Sequence, residues 1–271
     1  MIVEIGKLGA FLRRDFLIAL SYRVGFAADL VNLLAQAVLF YYVSLIVDPA
    51  RMPSFGGTRA GYVAFVAVGI AVSALLHTGV AGMAHAIRGE QLTGTLESLL
   101  VTPTSAWTLQ LGSVIYDLSY VPVRTAAFLA IVAVVFGVDF HLDGILPALA
   151  LLVVFLPCVW GLGAASAAAV LTFRQVSGII GLATAALSIA SGAYFPHDLL
   201  PGWLAGTARV NPVALALGGA REALLGGGGW SAVVPYALML APFSAVSLIL
   251  GGLAFQLALQ RERRLGTLGL Y

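Results

Sequence analysis

The sequence predicts an all-α polytopic membrane protein with six transmembrane helices, an N-terminal amphipathic interfacial helix, a short cytoplasmic helix and short re-entrant external helices between helices 5 and 6. Three observations predict it. Apolar residues fill 61% of the 271 positions and charged ones 10%, with a mean hydropathy of +1.01, which places the chain outside ordinary soluble domains. Apolar runs of about 20 residues or more, the length a helix needs to cross a bilayer, lie near 24–47, 61–86, 107–137, 145–172, 176–194 and 232–259. The stretches between them are short polar or proline-cut pieces, so residues 1–271 read as a single transmembrane unit.

Residues 1–22 come first. Ile5, Leu8, Leu12, Phe16 and Ala19 recur at helical spacing, with Glu4, Lys7 and Arg14 largely opposite, as in a helix lying along the membrane surface. The charges of Glu4, Lys7, Arg13, Arg14 and Asp15 interrupt any apolar core that a cleavable signal peptide would need. In the first span Asp29, Asn32 and Gln36 fall at i, i+3, i+7. Such a stripe faces protein or water rather than lipid, and is read either as a pathway lining or as a subunit contact. In the third span Asp117 and Arg124 share a face two turns apart, with the same two readings.

Between the second and third spans, residues 89–105 read GEQLTGTLESLLVTPTS. Leu92, Leu96, Leu99 and Leu100 follow i, i+4, i+7, i+8, while Glu90, Thr93 and Glu97 gather elsewhere; Pro103 ends the pattern. The spacing predicts a short amphipathic cytoplasmic helix, one face toward its own chain and one toward a partner. In the fourth span, Gly161 and Gly163 with Ala164 to Ala169 suit close helix packing, and Cys158 reads as a buried thiol.

After the fifth span the chain stays apolar yet is cut by Pro196, Pro201 and Pro212. Residues 195–227 are too broken to span and too apolar for a free loop, which predicts short helices re-entering the outer leaflet. Tyr194 and Trp203 are placed to anchor them at the interface. Gly226 to Gly229 read as a turn before the last span.

Charge sets the orientation. Lys7, Arg13, Arg14, Arg23, Arg88, Arg174, Arg261, Arg263 and Arg264 fall on one side, against Arg51, Arg59, Arg209 and Arg221 on the other. The positive-inside bias puts both termini in the cytoplasm. A net charge of +2 is too small to indicate nucleic acid.

Chemistry of its own is not expected. A phosphate-binding loop needs Lys followed by Ser or Thr, whereas the lone lysine, Lys7, precedes Leu8. His77 and His85 stand about 12 Å apart along one helix, too far to share a metal ion. His141 and His197, both on external segments, make a weak metal pair, and no nucleophile elbow is present. No catalytic, cofactor-binding or metal residue is assigned.

The 89–105 segment resembles the cytoplasmic segment of the membrane permeases of type-2 ATP-binding-cassette (ABC) exporters, matching at Glu90, Gly94, Thr95, Leu96, Glu97, Leu99, Leu100, Thr102 and Pro103. The external segment is similar to that family's at Ser191, Gly192, Phe195, Pro196, Leu200, Pro201, Trp203, Asn211, Pro212 and Arg221. The resemblance implies a half-transporter in which two permease chains, identical or paired with a related one, join two ATPase subunits that hold ATP and Mg. It implies that residues 89–105 are a coupling helix seated in the ATPase, and that Phe195, Pro196, Pro201, Trp203, Asn211, Pro212 and Arg221 belong to an external gate. Gln91, Leu92 and Thr93 stand where family members often carry Arg or Lys, leaving Arg88 alone and implying a more apolar docking surface.

The implied activity is export of a hydrophobic or amphipathic substrate, drug or lipid-like, across the cell membrane. Saccharide or glycolipid export is the alternative, with Phe40, Tyr41, Tyr42, Tyr116 and Tyr120 as the aromatic candidates. An ion-driven transporter using Asp29, Asp117 and Arg124 is a third reading, weakened because the chain has no two halves with matching interruptions.

Overall fold

The computed structural model describes residues 2–21, 23–46, 59–95, 108, 111–112, 115–173, 176–196, 202, 206 and 210–265. Eight helices of more than ten residues occur among them: α1 (Ile2–Ser21), α2 (Arg23–Ile46), α3 (Arg59–Leu92), α4 (Ile115–Phe136), α5 (Ile145–Phe173), α6 (Ser177–Ala190), α7 (Pro212–Leu224) and α8 (Gly229–Leu265). The described residues contain no strand. A 3-10 turn, Leu142–Gly144, leads into α5.

Among the described residues four helices are long and apolar enough to cross a bilayer, within α3, α4, α5 and α8. The helices at the first and fifth expected spans are shorter in their apolar part, Leu30–Ile46 in α2 and Ser177–Ala190 in α6. Fourteen residues rise only about 21 Å, against a hydrocarbon layer of about 30 Å. The six-span count therefore exceeds what these lengths establish. Boundaries shift as well: α3 runs six residues past the expected end at 86, and α8 extends on both sides of 232–259.

Helix α3 is the axis of the bundle. Its apolar stretch is 83% buried, against 22%, 39% and 28% for the apolar windows of α4, α5 and α8, because its small residues let neighbours approach from several directions. A Cβ on Gly69 would overlap the Ala193 carbonyl, one on Gly79 would overlap Val159, and one on Gly163 of α5 would reach the Gly79 carbonyl. Helix α5 makes its most extensive contact with α8, where Gly161 and Gly251 meet backbone to backbone. Ser244 and Ser247 of α8 donate across that seam to the carbonyls of Val154 (2.7 Å) and Cys158 (3.0 Å). Close approach plus interhelical hydrogen bonds is how helices associate where lipid removes the hydrophobic drive. The packing reading of these glycines and of buried Cys158 holds.

The two ends of the bundle differ. At one, Met83, Ile87, Ala167, Leu171, Phe255 and Leu259 form a cluster on which Phe11 of α1 packs, so the N-terminal helix and the last turns of α3, α5 and α8 share an end. At the other, Leu33, Tyr62, Phe65, Phe128, Val132 and Val138 gather with Phe40, Phe136 and Tyr194. On α1 Phe11 packs against Gly112, whereas Phe16 of the expected apolar side is about half exposed, as are its neighbours Leu17 and Ile18.

Candidate functional site

Four helices enclose a cavity of about 770 Å³. Each brings polar side chains one helical turn apart, the i, i+4 spacing that puts them on one face. Helix α2 supplies Asn32 and Gln36, α3 supplies Ser73 and His77 with Thr78, α4 supplies Tyr116, Tyr120 and Arg124, and α6 supplies Thr184 and Ser188. Leu33, Ile70, Ala74, Ala185 and Ile189 make the apolar wall, and Tyr194 completes the lining.

Arg124 is 8% exposed. Its Nη2 donates to Thr78 Oγ1 at 3.3 Å, and its guanidinium lies 5.6 Å from the centre of the Tyr120 ring. Tyr120 in turn stacks on Tyr116, centroids 5.9 Å apart. The structure thus brings Asn32, Gln36 and Arg124 of the expected polar residues to one cavity. The side chains of Asp29 and Asp117 lie outside the described residues. Ser73, Thr78, Thr184 and Ser188 were not singled out from the sequence, although the one-turn spacing of Ser73 with His77 and of Thr184 with Ser188 within apolar runs is a signal that finds three of them. His77, considered there only as a metal ligand, is a cavity residue.

One end of the cavity meets the turn after α6. Residues 191–195 form that turn, with Gly192 in the left-handed region (φ 73°). Tyr194 stacks on Phe40, centroids 5.1 Å apart, and its carbonyl accepts from the Tyr62 hydroxyl at 3.4 Å. Phe195, 40% exposed, meets Phe40 edge-on at 6.3 Å, and Pro196 is buried. Helix α7 starts on Asn211, whose Oδ1 accepts from the Val213 N–H at 2.9 Å while its Nδ2 donates to the Leu187 carbonyl at 3.2 Å. Pro212 occupies the first helical position, where a missing N–H costs nothing. Asn-Pro thus caps α7 and ties it to α6. Pro201 and Trp203 lie outside the described residues.

Arg221 holds this region together. From α7 it donates to the carbonyls of Gly192 (Nη1, 3.0 Å), Ala193 (Nη2, 2.9 Å) and Phe65 of α3 (Nε, 3.3 Å). The guanidinium also covers the Phe65 ring, 3.2 Å from its centre. Burial draws its pKa down to about 9, which still leaves it charged at neutral pH. The sequence counted Arg221 as an outward-side charge; the structure makes it a clamp between three backbone elements.

At the opposite end, α3 continues through Glu90 to Leu92 and only then turns. Glu90 and Leu92 are therefore the last turn of a long helix rather than part of a separate one. Gly94 sits at φ 72°, and its N–H donates back to the Gln91 carbonyl at 3.0 Å. A left-handed glycine after the last turn is a common helix stop. It breaks the single helical face expected to run from Leu92 to Leu100. Leu96, Glu97, Leu99, Leu100 and Pro103 lie outside the described residues.

Glu90 joins three pieces. Its Oε1 accepts from Arg14 of α1 at 2.9 Å, and its Oε2 accepts from the Thr95 hydroxyl. Thr93 and Thr95 share a hydrogen bond of 2.8 Å. Burial alone would lower the Arg14 pKa, but its bonds to Asp15 and Glu90 outweigh this and hold it above the ordinary value. Gln91 is buried, 3.4 Å from Arg88, whereas Leu92, 58% exposed, presents an apolar surface at this corner. A double-mutant cycle checks the Glu90 link: Arg14→Glu and Glu90→Arg each lower the thermal midpoint, and the combined swap recovers a coupling of about 0.5–1 kcal/mol, small because Arg14 is partly solvated. Strictly additive effects would remove the link.

Among the described residues no three His, Cys, Asp or Glu side chains gather as a metal site requires. A family model described as ABC-2 type transporter matches residues 7–225, which takes in most of α1, all of α2 to α7 and every residue that lines the cavity. No curated protein matches the chain.

Proposed function

The chain belongs to the ABC-2 type transporter family, and from that premise we propose that it is the membrane half of an ATP-driven exporter of hydrophobic or amphipathic compounds. It is a multi-pass membrane protein and a permease rather than an ATPase. In the proposed assembly two permease chains, most simply two copies of this one, straddle a pathway in the cell membrane. Two ATPase subunits bind ATP and Mg on the cytoplasmic side.

One observation carries the reading: α3 bears part of the cavity wall, and its last turn is the start of the segment that resembles a coupling helix. From Thr78 to Glu90 is about 18 Å of continuous helix, buried on nearly every side and hence resistant to bending independently of its neighbours. Force delivered beyond Gly94 passes along α3 to Ser73, His77 and Thr78, and further to Phe65 and the Arg221 clamp. ATP binding on the partner would close the ATPase pair, push the segment and move the cavity walls, so that access changes from inward to outward.

Six spans with both termini in the cytoplasm complete the proposed topology. The shared end of α1 and the last turns of α8 supports it, with Arg261, Arg263 and Arg264 following the last apolar stretch. Helices α2 and α6 serve as the remaining two spans, their short apolar parts suited to a thinned or protein-lined site. Residues 195–227 remain the proposed external re-entrant segment, of which α7 is the described helix.

Reconstitution tests the proposal. The chain with its cognate ATPase in liposomes is expected to move an amphipathic dye outward only with ATP, and the chain alone is expected to move nothing under a proton or sodium gradient. Gradient-driven transport by the chain alone would overturn the exporter reading in favour of a secondary transporter.

A further inference from the structure

The described lining of the cavity is weighted toward hydrogen-bond donation by Arg124. Among its described side chains none is an obligate acceptor: the amides, the hydroxyls and His77 donate or accept, and Arg124 only donates. Ser73 adds a second observation. Hydroxyls in a helix ordinarily donate to a carbonyl one turn back, as Ser166 does to Leu162 and Thr184 to Ile180. Ser73 is 7% exposed, yet its Oγ has no hydrogen-bond partner among the described residues. A buried hydroxyl left unpaired beside a cavity is a cost that a bound oxygen atom would relieve. The same cavity has an apolar wall at Leu33, Ile70 and Ile189. Helices α2 and α6, which line it, pack on α3 rather than on one another, and turn Val31, Leu39, Ile179 and Leu182 outward.

We propose that this cavity is a headgroup site for an amphiphile whose head presents hydrogen-bond-acceptor oxygens. Arg124 and Thr78 meet the head from one side and Ser73 completes the contact, while the chains lie along the apolar wall between α2 and α6. The inference rests on the permease reading and narrows it. A phosphate head and a sugar head both supply such oxygens; a quaternary ammonium head does not.

The test uses the full-length chain in detergent micelles, without ATPase, and reads lipid retention by native mass spectrometry. Three diacyl lipids with identical chains serve as probes: one with a phosphate head, one with a glucosyl head and one with a trimethylammonium head. The phosphate or the glucosyl lipid is expected to bind at least about tenfold tighter than the ammonium lipid, and the better of the two names the head. Ser73→Ala is expected to weaken the preferred lipid by about fivefold, and Arg124→Gln to weaken it by about tenfold or more. Equal retention of all three lipids, preference for the ammonium head, or wild-type binding by Ser73→Ala overturns the headgroup site. Ser73→Ala removes a single oxygen and keeps the fold, so it decides the matter even where Arg124→Gln fails to accumulate. Head selectivity without ATP-driven transport in liposomes would sink the exporter and leave the site standing; transport without head selectivity would do the reverse.

Discussion

Arg221→Ala is expected to lower the stability of the solubilised protein by about 2–5 kcal/mol, since it strands turn carbonyls that are otherwise buried against a cation. The Phe65 carbonyl keeps its place within α3. Those of Gly192 and Ala193 stand in the turn after α6 and receive Nη1 and Nη2 at 3.0 and 2.9 Å. Each unsatisfied buried carbonyl costs about 1–3 kcal/mol, and contact with the Phe65 ring is lost as well. Arg221→Lys is expected to recover only part, because one ammonium cannot reproduce a planar fork spanning α3 and the turn. Thermal unfolding in micelles measures the loss. A cysteine at Phe195 measures its location, with labelling from outside expected to accelerate when the clamp is gone. An unchanged midpoint in Arg221→Ala, with unchanged labelling, would reduce the clamp to a fortuitous contact. On the proposed mechanism the clamp makes the outer turn follow α3, so its loss would also let the outer end open without ATP.

The elements of the fold were legible where apolar runs are long. The runs near 61–86, 145–172 and 232–259 became α3, α5 and α8, and the proline-cut stretch after the fifth run contains α7 starting on Asn211 and Pro212 as a capped helix should. Their ends were less legible. Glu90 and Leu92 look like the start of an amphipathic helix because polarity rises there, but helical hydrogen bonding continues until Gly94 breaks it. Composition reports where water begins, and dihedral angles report where a helix stops. The cavity was half legible: Asn32, Gln36 and Arg124 drew attention as charged or amide groups in apolar runs, whereas Ser73 and Ser188 are common in helices and become informative only when four such pairs converge. The clamp made by Arg221, named beforehand as an outward-side charge and a member of the external gate, was hidden for a similar reason. Its position in a connecting segment gives no sign of its partners, and its fork reaches three carbonyls only after residues as distant as Phe65 and Ala193 have been folded together.

Gly94→Pro is expected to leave the bundle assembled and to abolish coupled transport, with ATP hydrolysis by the assembled complex continuing while export falls by at least about tenfold. The position lies beyond the buried part of α3 and is exposed, so the core is not at stake. Its φ of 72° is one that proline, fixed near −65°, cannot adopt, and proline also removes the N–H that donates to Gln91. The chain must then leave α3 in another direction, carrying Thr95 away from Glu90 and the segment beyond it away from the partner. A graded series separates this cause from general damage. Asn tolerates the left-handed region and should retain most transport. Ala carries a strain of about 1–2 kcal/mol and should fall between Asn and Pro. If transport declines in the order Gly, Asn, Ala, Pro while the thermal midpoint of the permease barely moves, the bend after α3 is what delivers the force. Equal loss in Asn and Pro would point instead to a need for the missing side chain itself, as at a tight contact with the ATPase, and full transport in Gly94→Pro would remove the coupling role from this segment.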